Sequence, residues 1–79
     1  MEYNLSEMST DFNMSHEDII RIIRNGLLTD TDWTQISDAP LTAEKREEWK
    51  LWRQYLRDLP TEFVGLEHYP DVLSINDHP

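Results

Sequence analysis

The residue types used most often in catalysis and metal binding are scattered along this 79-residue chain. Its three histidines are His16, His68 and His78, and cysteine is absent. Glu47 and Glu48 are adjacent, so on a helix they would point about 100° apart and make a poor carboxylate pair. The chain has no HExxH sequence, no glycine-rich phosphate loop and no GxSxG sequence. We therefore predict no catalytic, cofactor or metal site, and a protein that is not an enzyme.

The charge is distributed unevenly along the chain, which has a formal net charge of −9. Residues 1–18 contain five acids and residues 61–79 contain four, with no lysine or arginine in either segment, while residues 19–60 contain seven acids and seven bases. Acidic ends make binding to nucleic acid phosphates unfavourable. There is no apolar run of 18 residues and no signal peptide pattern, so we expect a cytoplasmic protein without membrane contact.

The largest side chains lie in residues 33–60, which include all three tryptophans. A single core in a chain of this size supplies only about 3–5 kcal/mol, so a small helical unit, stabilised by a partner or by self-association, is favoured. The residues predicted to form the core are Ile19, Ile23, Leu27, Trp33, Trp49, Trp52, Leu56 and Leu59.

Two helices are predicted around this core. Ser15 is a candidate N-cap for a helix over about 16–28, in which Gly26 is a weak point. Thr42 is a candidate N-cap for a second helix over about 43–59, which Pro60 follows. The turn-rich segment between them is expected to fold back through Trp33 and Ile36 and to close the end of the hairpin. The fold class is thus predicted to be all-α, a two-helix hairpin with an ordered tryptophan-containing loop.

The two acidic ends are predicted to be extended or irregular arms, dividing the chain into residues 1–14, 15–60 and 61–79. The first arm is either flexible or docks on a partner through apolar anchors. In the second, Gly65 and Pro70 disfavour a long helix, so the segment is expected to be strand-like. It either covers the hairpin or adds a strand to a partner.

A basic ridge of Arg46, Lys50, Arg53 and Arg57 is predicted on the outer face of the second helix. It is interpreted as a solvated face or as a partner for the acidic arms. Candidate partner-binding residues in the second helix, the loop and the second arm are Trp33, Trp52, Arg53, Tyr55, Arg57, Phe63, Leu66, Tyr69 and Val72.

The order of residues in the central stretch resembles a known family. It reads LL at 27–28, DWTQ at 32–35, DAPLT at 38–42, EKR at 44–46, Trp49, and RQYLRDLP at 53–60. This combination is similar to the bacteriophage tail fibre assembly chaperone-like domain. The similarity covers about residues 19–62, and Trp52 stands where that family more often has tyrosine. The N-terminal arm lies outside the match, and HYPDV at 68–72 replaces the short Val-Trp-Pro-like segment in which the family often ends.

The resemblance implies a small helical protein that assists the folding, oligomerisation or attachment of a phage tail fibre or another tail protein in the host cytoplasm. Two other functions stay open. One is a permanent minor component, an adaptor or decorating protein, retained in the virion tail. The other is an acidic inhibitor that mimics nucleic acid.

Overall fold

The computed structural model describes residues 1–63 and 69–79 of the protein. It is mostly helical, and it also has a small two-stranded sheet, so the all-α prediction is wrong on that point. In chain order the elements are β1 (Glu2–Asn4), α1 (Leu5–Phe12), α2 (His16–Asp30), a 3₁₀ helix (Asp32–Gln35), α3 (Ala43–Asp58), a second 3₁₀ helix (Leu59–Phe63) and β2 (Val72–Ser74).

The N-terminal segment is regular rather than extended or irregular, which corrects the sequence prediction for residues 1–14. Leu5, Met8 and Phe12 follow the i, i+3, i+7 spacing of a helical stripe, and Leu5 is fully buried. The Asn4 side chain caps α1 by accepting the backbone N–H three residues later at 2.9 Å. Asn13 ends the helix in the left-handed region at φ 52°, which asparagine tolerates better than most residues.

The two predicted helices begin at the expected caps. The Ser15 hydroxyl accepts the Asp18 N–H at 3.2 Å, and the Thr42 hydroxyl accepts the Lys45 N–H at 3.1 Å. Helix α2 continues through Gly26 to Asp30, two residues beyond its predicted end, and α3 ends at Asp58. With α1, the described part of the chain has three α-helices instead of the two of a simple hairpin.

The sheet joins the two acidic ends of the chain. Strands β1 and β2 are antiparallel, with Tyr3 opposite Leu73. The ladder continues on both sides, since the Leu5 N–H donates to the Asp71 carbonyl and the Ile75 N–H donates to the Met1 carbonyl, each at 2.7 Å. The strand-like character predicted for the C-terminal segment is therefore present in β2, which pairs with the N-terminal strand of the same chain.

The core is built from the inner faces of all three helices and from the sheet. Leu73 and Ile75 are each only 2% exposed, so the C-terminal segment contributes to the core and covers the helices. The three-part division of the chain stays a prediction. The buried apolar residues are Leu5, Ile19, Ile20, Ile23, Trp49, Trp52, Leu56, Leu59, Leu73 and Ile75.

Candidate partner-binding site

Arg53 of α3 fastens the start of the loop that connects α2 to α3. One terminal nitrogen of its guanidinium donates to the Leu28 carbonyl and to the Thr31 hydroxyl, both at 2.7 Å. The other donates to the Asp32 carboxylate at 2.6 Å. Arg53 is only 5% exposed, whereas the Asp32 side chain is 65% exposed. The arginine is therefore an internal brace rather than a solvated charge.

Arg46 fastens the far end of the same loop. Its guanidinium donates to the carbonyls of Ile36, Ser37 and Ala39 at 3.3, 3.4 and 3.3 Å. Because Arg46 and Arg53 are seven residues apart, they project from the same side of α3. Two arginines of the predicted basic ridge thus hold the loop in one conformation, and we call this pair the arginine clamp.

The clamped loop turns two large apolar side chains outward. Thr34 is fully buried and donates its hydroxyl to the Thr31 carbonyl at 2.7 Å, which orients the 3₁₀ helix. Trp33 lies within the 3₁₀ helix, and Ile36 follows it as the extended C-cap. They are 45% and 54% exposed, respectively. The loop therefore presents an apolar pair on a braced backbone.

The three tryptophans lie in a row beside this loop. The Trp33 and Trp49 ring centroids are 5.9 Å apart with the planes at 62°, and those of Trp49 and Trp52 are 5.7 Å apart at 89°. These edge-to-face contacts are the favoured geometry for aromatic pairs. Trp49 and Trp52 are 7% exposed, so the tryptophan row runs from the surface at Trp33 into the core.

Residues 75–79 lie along the inner part of the tryptophan row. The Trp52 indole N–H donates to the Asn76 carbonyl at 2.8 Å, and the Asn76 N–H donates to the Tyr55 hydroxyl at 3.3 Å. The His78 ring stacks on Trp49 with centroids 5.4 Å apart and planes 13° from parallel. We call residues 75–79 the covering segment, because they close off Trp49 and Trp52.

In the described residues 1–63 and 69–79, no group of three or more acidic or histidine side chains is placed to hold a metal ion. The same residues enclose no cavity. Among them, no helix is long and apolar enough to cross a membrane. The arrangement that the described residues do offer is a braced loop with two exposed apolar side chains.

The central part of the chain carries the family signature. The family model described as phage tail assembly chaperone protein matches residues 17–65, which is more than half of the chain. The chain belongs to the phage tail assembly chaperone family. This confirms the resemblance seen in the sequence. Among curated proteins and solved structures, none matches the chain.

Membership of the phage tail assembly chaperone family places the protein's role in phage tail assembly, with tail proteins as its partners, in the infected host cell. The family is a non-catalytic assembly family. The match spans α2, the connecting loop and α3 almost entirely, so it contains the arginine clamp and the tryptophan row. Residues 1–16 and 66–79, which include the sheet, α1 and the covering segment, lie outside it.

The predicted partner-binding residues do not form one surface. Trp33, Arg57 and Val72 are exposed, Tyr55 is half-buried under the covering segment, and Trp52 is buried. Arg53 is buried too, so its expected place on a solvated ridge is wrong; its guanidinium is used by the loop.

The remaining candidates form a second aromatic contact. Phe63 stacks on Tyr69 at 5.8 Å between centroids, and Tyr69 stacks on His16 of α2 at 5.9 Å. This contact fixes the chain near the start of residues 69–79. Leu66 lies outside the described residues. For each of these residues, partner binding stays a prediction.

The predicted core residues are buried with two exceptions. Ile19, Ile23, Trp49, Trp52, Leu56 and Leu59 are buried, and Leu27 is half-buried against them. Trp33, at 45% exposure, is not a core residue. Its ring meets only the edge of the core at Trp49, because the clamp holds the 3₁₀ helix with Thr34 inward instead.

Sequence reasoning missed two contributors to the site. Ile36 was expected to fold back and close the end of the helices, but it is 54% exposed. Arg46 was expected on a solvated ridge, but it holds three loop carbonyls. One sequence signal pointed to the clamp. Arg46 and Arg53 are seven residues apart, so they share a side of α3, and the preceding loop has carbonyls that no regular helix or strand would pair.

Proposed function

We propose that this protein is a tail assembly chaperone that binds a tail fibre protein, or another tail protein, through the apolar pair of Trp33 and Ile36 and assists its folding, oligomerisation or attachment. The observation that carries the proposal is the exposure of both side chains on a loop braced by the arginine clamp. Large aromatic side chains supply much of the energy of protein interfaces.

The clamp supports a binding role because it reduces the entropy lost on association. A loop already held in one conformation does not have to be ordered by its partner. Six side-chain hydrogen bonds to loop residues are made by Arg46, Arg53 and the Thr34 hydroxyl. A seventh, from Arg53 to the Leu28 carbonyl, holds the end of α2.

Co-expression of the tail fibre protein with the chaperone tests the proposal. We expect the soluble, correctly oligomerised yield of the fibre protein to rise with the wild-type chain and with Leu51→Ala. Leu51 is a matched control because it is 63% exposed on α3, away from the loop. The combined Trp33→Ala and Ile36→Ala variant should lose most of that gain. Equal fibre yield with and without the wild-type chain would refute the chaperone function.

Purified phage particles distinguish the chaperone from a permanent tail component. A chaperone that leaves the assembled tail should be strongly substoichiometric in particles analysed by quantitative mass spectrometry. A fixed stoichiometry relative to the tail proteins would instead establish a structural component.

A further inference from the structure

The covering segment lies on the tryptophan row and contacts it mainly through backbone hydrogen bonds and one ring, as a bound peptide would. Beyond the buried Ile75, residues 76, 77 and 78 are all exposed. They are held on α3 by a few directional contacts: a main-chain carbonyl on Trp52, a main-chain N–H on Tyr55 and a ring on Trp49. Two of these contacts use only the backbone of the segment, so another sequence can make them equally well.

The surface under the covering segment is continuous with the proposed partner site. Trp49 touches exposed Trp33 on one side and covered Trp52 on the other, with all centroid separations under 6 Å. These tryptophans lie inside the family match at residues 17–65, whereas the covering segment lies outside it. The segment therefore closes off a surface that belongs to the family core of the protein.

We propose that the tryptophan row binds an extended segment of the partner tail protein, and that the covering segment holds this place until the partner displaces it. The proposal rests on the proposed function for the identity of the partner. The chemistry of the partner segment follows from the contacts already made. It offers a main-chain carbonyl to the Trp52 indole N–H and, two residues later, a histidine or aromatic ring that stacks on Trp49.

The two-residue separation is taken from the covering segment, in which a main-chain carbonyl and, two residues later, a ring contact neighbouring tryptophans. It reproduces the spacing between Asn76, which accepts from Trp52, and His78, which stacks on Trp49. The exposed Trp33 then provides a first contact for the incoming segment, and the inner row becomes available as residues 76–79 leave. Ile75 can stay in place, because its backbone is paired with Met1.

The full-length His78→Ala variant tests the proposal, with His16→Ala as a matched control. His16 also stacks on an aromatic ring, Tyr69 at 5.9 Å, but away from the tryptophans. We expect His78→Ala, and not His16→Ala, to make tryptophan fluorescence more quenchable by acrylamide. Loss of the His78 stack on Trp49 should weaken the binding of the covering segment to the tryptophan row several-fold. Because this segment competes with the partner, a tail protein should bind His78→Ala about three- to tenfold more tightly than the wild type.

A synthetic peptide of residues 71–79 separates this proposal from the proposed function. The labelled peptide should bind full-length His78→Ala measurably more tightly than it binds the wild type, whose own segment competes better. Equal binding to both chains, or binding to neither, overturns the proposal whatever the partner is. Peptide binding without any binding of tail protein would leave the surface established and refute the proposed function. Tail protein that binds the two chains equally would overturn the displacement step.

Discussion

Replacement of Arg53 by methionine should remove much of the stability of the protein. The loss comes mainly from its shielded hydrogen bonds, because an ion pair with an exposed carboxylate contributes little. Its bonds to the Leu28 carbonyl and Thr31 hydroxyl, both at 2.7 Å, are shielded from solvent. Hydrogen bonds from a charged donor contribute about 1.5–3 kcal/mol each. The Asp32 carboxylate is 65% exposed, so that ion pair contributes less than about 1 kcal/mol. The buried Arg53 Nε has no acceptor among the described residues, which costs about 1–3 kcal/mol.

Together these contributions predict that Arg53→Met lowers the free energy of unfolding by about 2–3 kcal/mol. The loss is smaller than the sum of the lost hydrogen bonds because methionine also removes the buried Nε that has no acceptor. Against a total of about 3–5 kcal/mol for a domain of this size, the variant should be close to unfolding. Asp32→Asn should cost less than about 1 kcal/mol.

Urea unfolding followed by far-ultraviolet circular dichroism measures both losses as changes in midpoint at constant m-value. Arg57→Met is the matched control, since Arg57 is exposed on the same helix and its loss should change stability by no more than about 0.5 kcal/mol. If Asp32→Asn destabilises the protein as much as Arg53→Met, the surface ion pair is the main contact. The reasoning about the shielded carbonyl and hydroxyl would then be wrong.

Two further predictions test the fold. Leu5→Ala should lower the free energy of unfolding by about 2–5 kcal/mol, because Leu5 is fully buried; a flexible N-terminus would leave the thermal midpoint unchanged. Gly26→Ala should raise the free energy of unfolding by about 0.5–1 kcal/mol, since Gly26 is inside α2 and an added methyl group meets nothing within 4 Å. A lower thermal midpoint for Gly26→Ala would contradict the open surroundings of that position.

The parts of the fold that were predictable depend on local chemistry. The caps at Ser15 and Thr42 were visible because a hydroxyl followed by helix-forming residues is a local signal. Helix α1 was missed because polar residues dilute its short stripe of Leu5, Met8 and Phe12. Its burial depends on the sheet, whose strands are about 70 residues apart in the chain.

For the candidate site, the sequence predicted which residues the loop contains but not how their side chains are oriented. The sequence indicated an ordered loop with Trp33, but not which way that residue faces. The direction is decided by long-range contacts of Arg46 with loop carbonyls and of Arg53 with the end of α2, and backbone carbonyls leave no side-chain signal in the sequence. Both arginines were therefore interpreted as solvated charges, although their hydrogen-bond acceptors, most of them backbone carbonyls, lie seven or more residues away in the chain.

The affinity of the wild-type chain and of Trp33→Ala for the purified tail fibre protein, measured by isothermal titration calorimetry, tests the central claim most directly. Circular dichroism must first establish that the variant is folded. Truncation of an aromatic residue at the centre of an interface costs at least about 2 kcal/mol, so Trp33→Ala should bind about 30-fold more weakly. Leu51→Ala, which truncates an apolar side chain that is 63% exposed, should bind like the wild type. Wild-type affinity for Trp33→Ala would contradict the account.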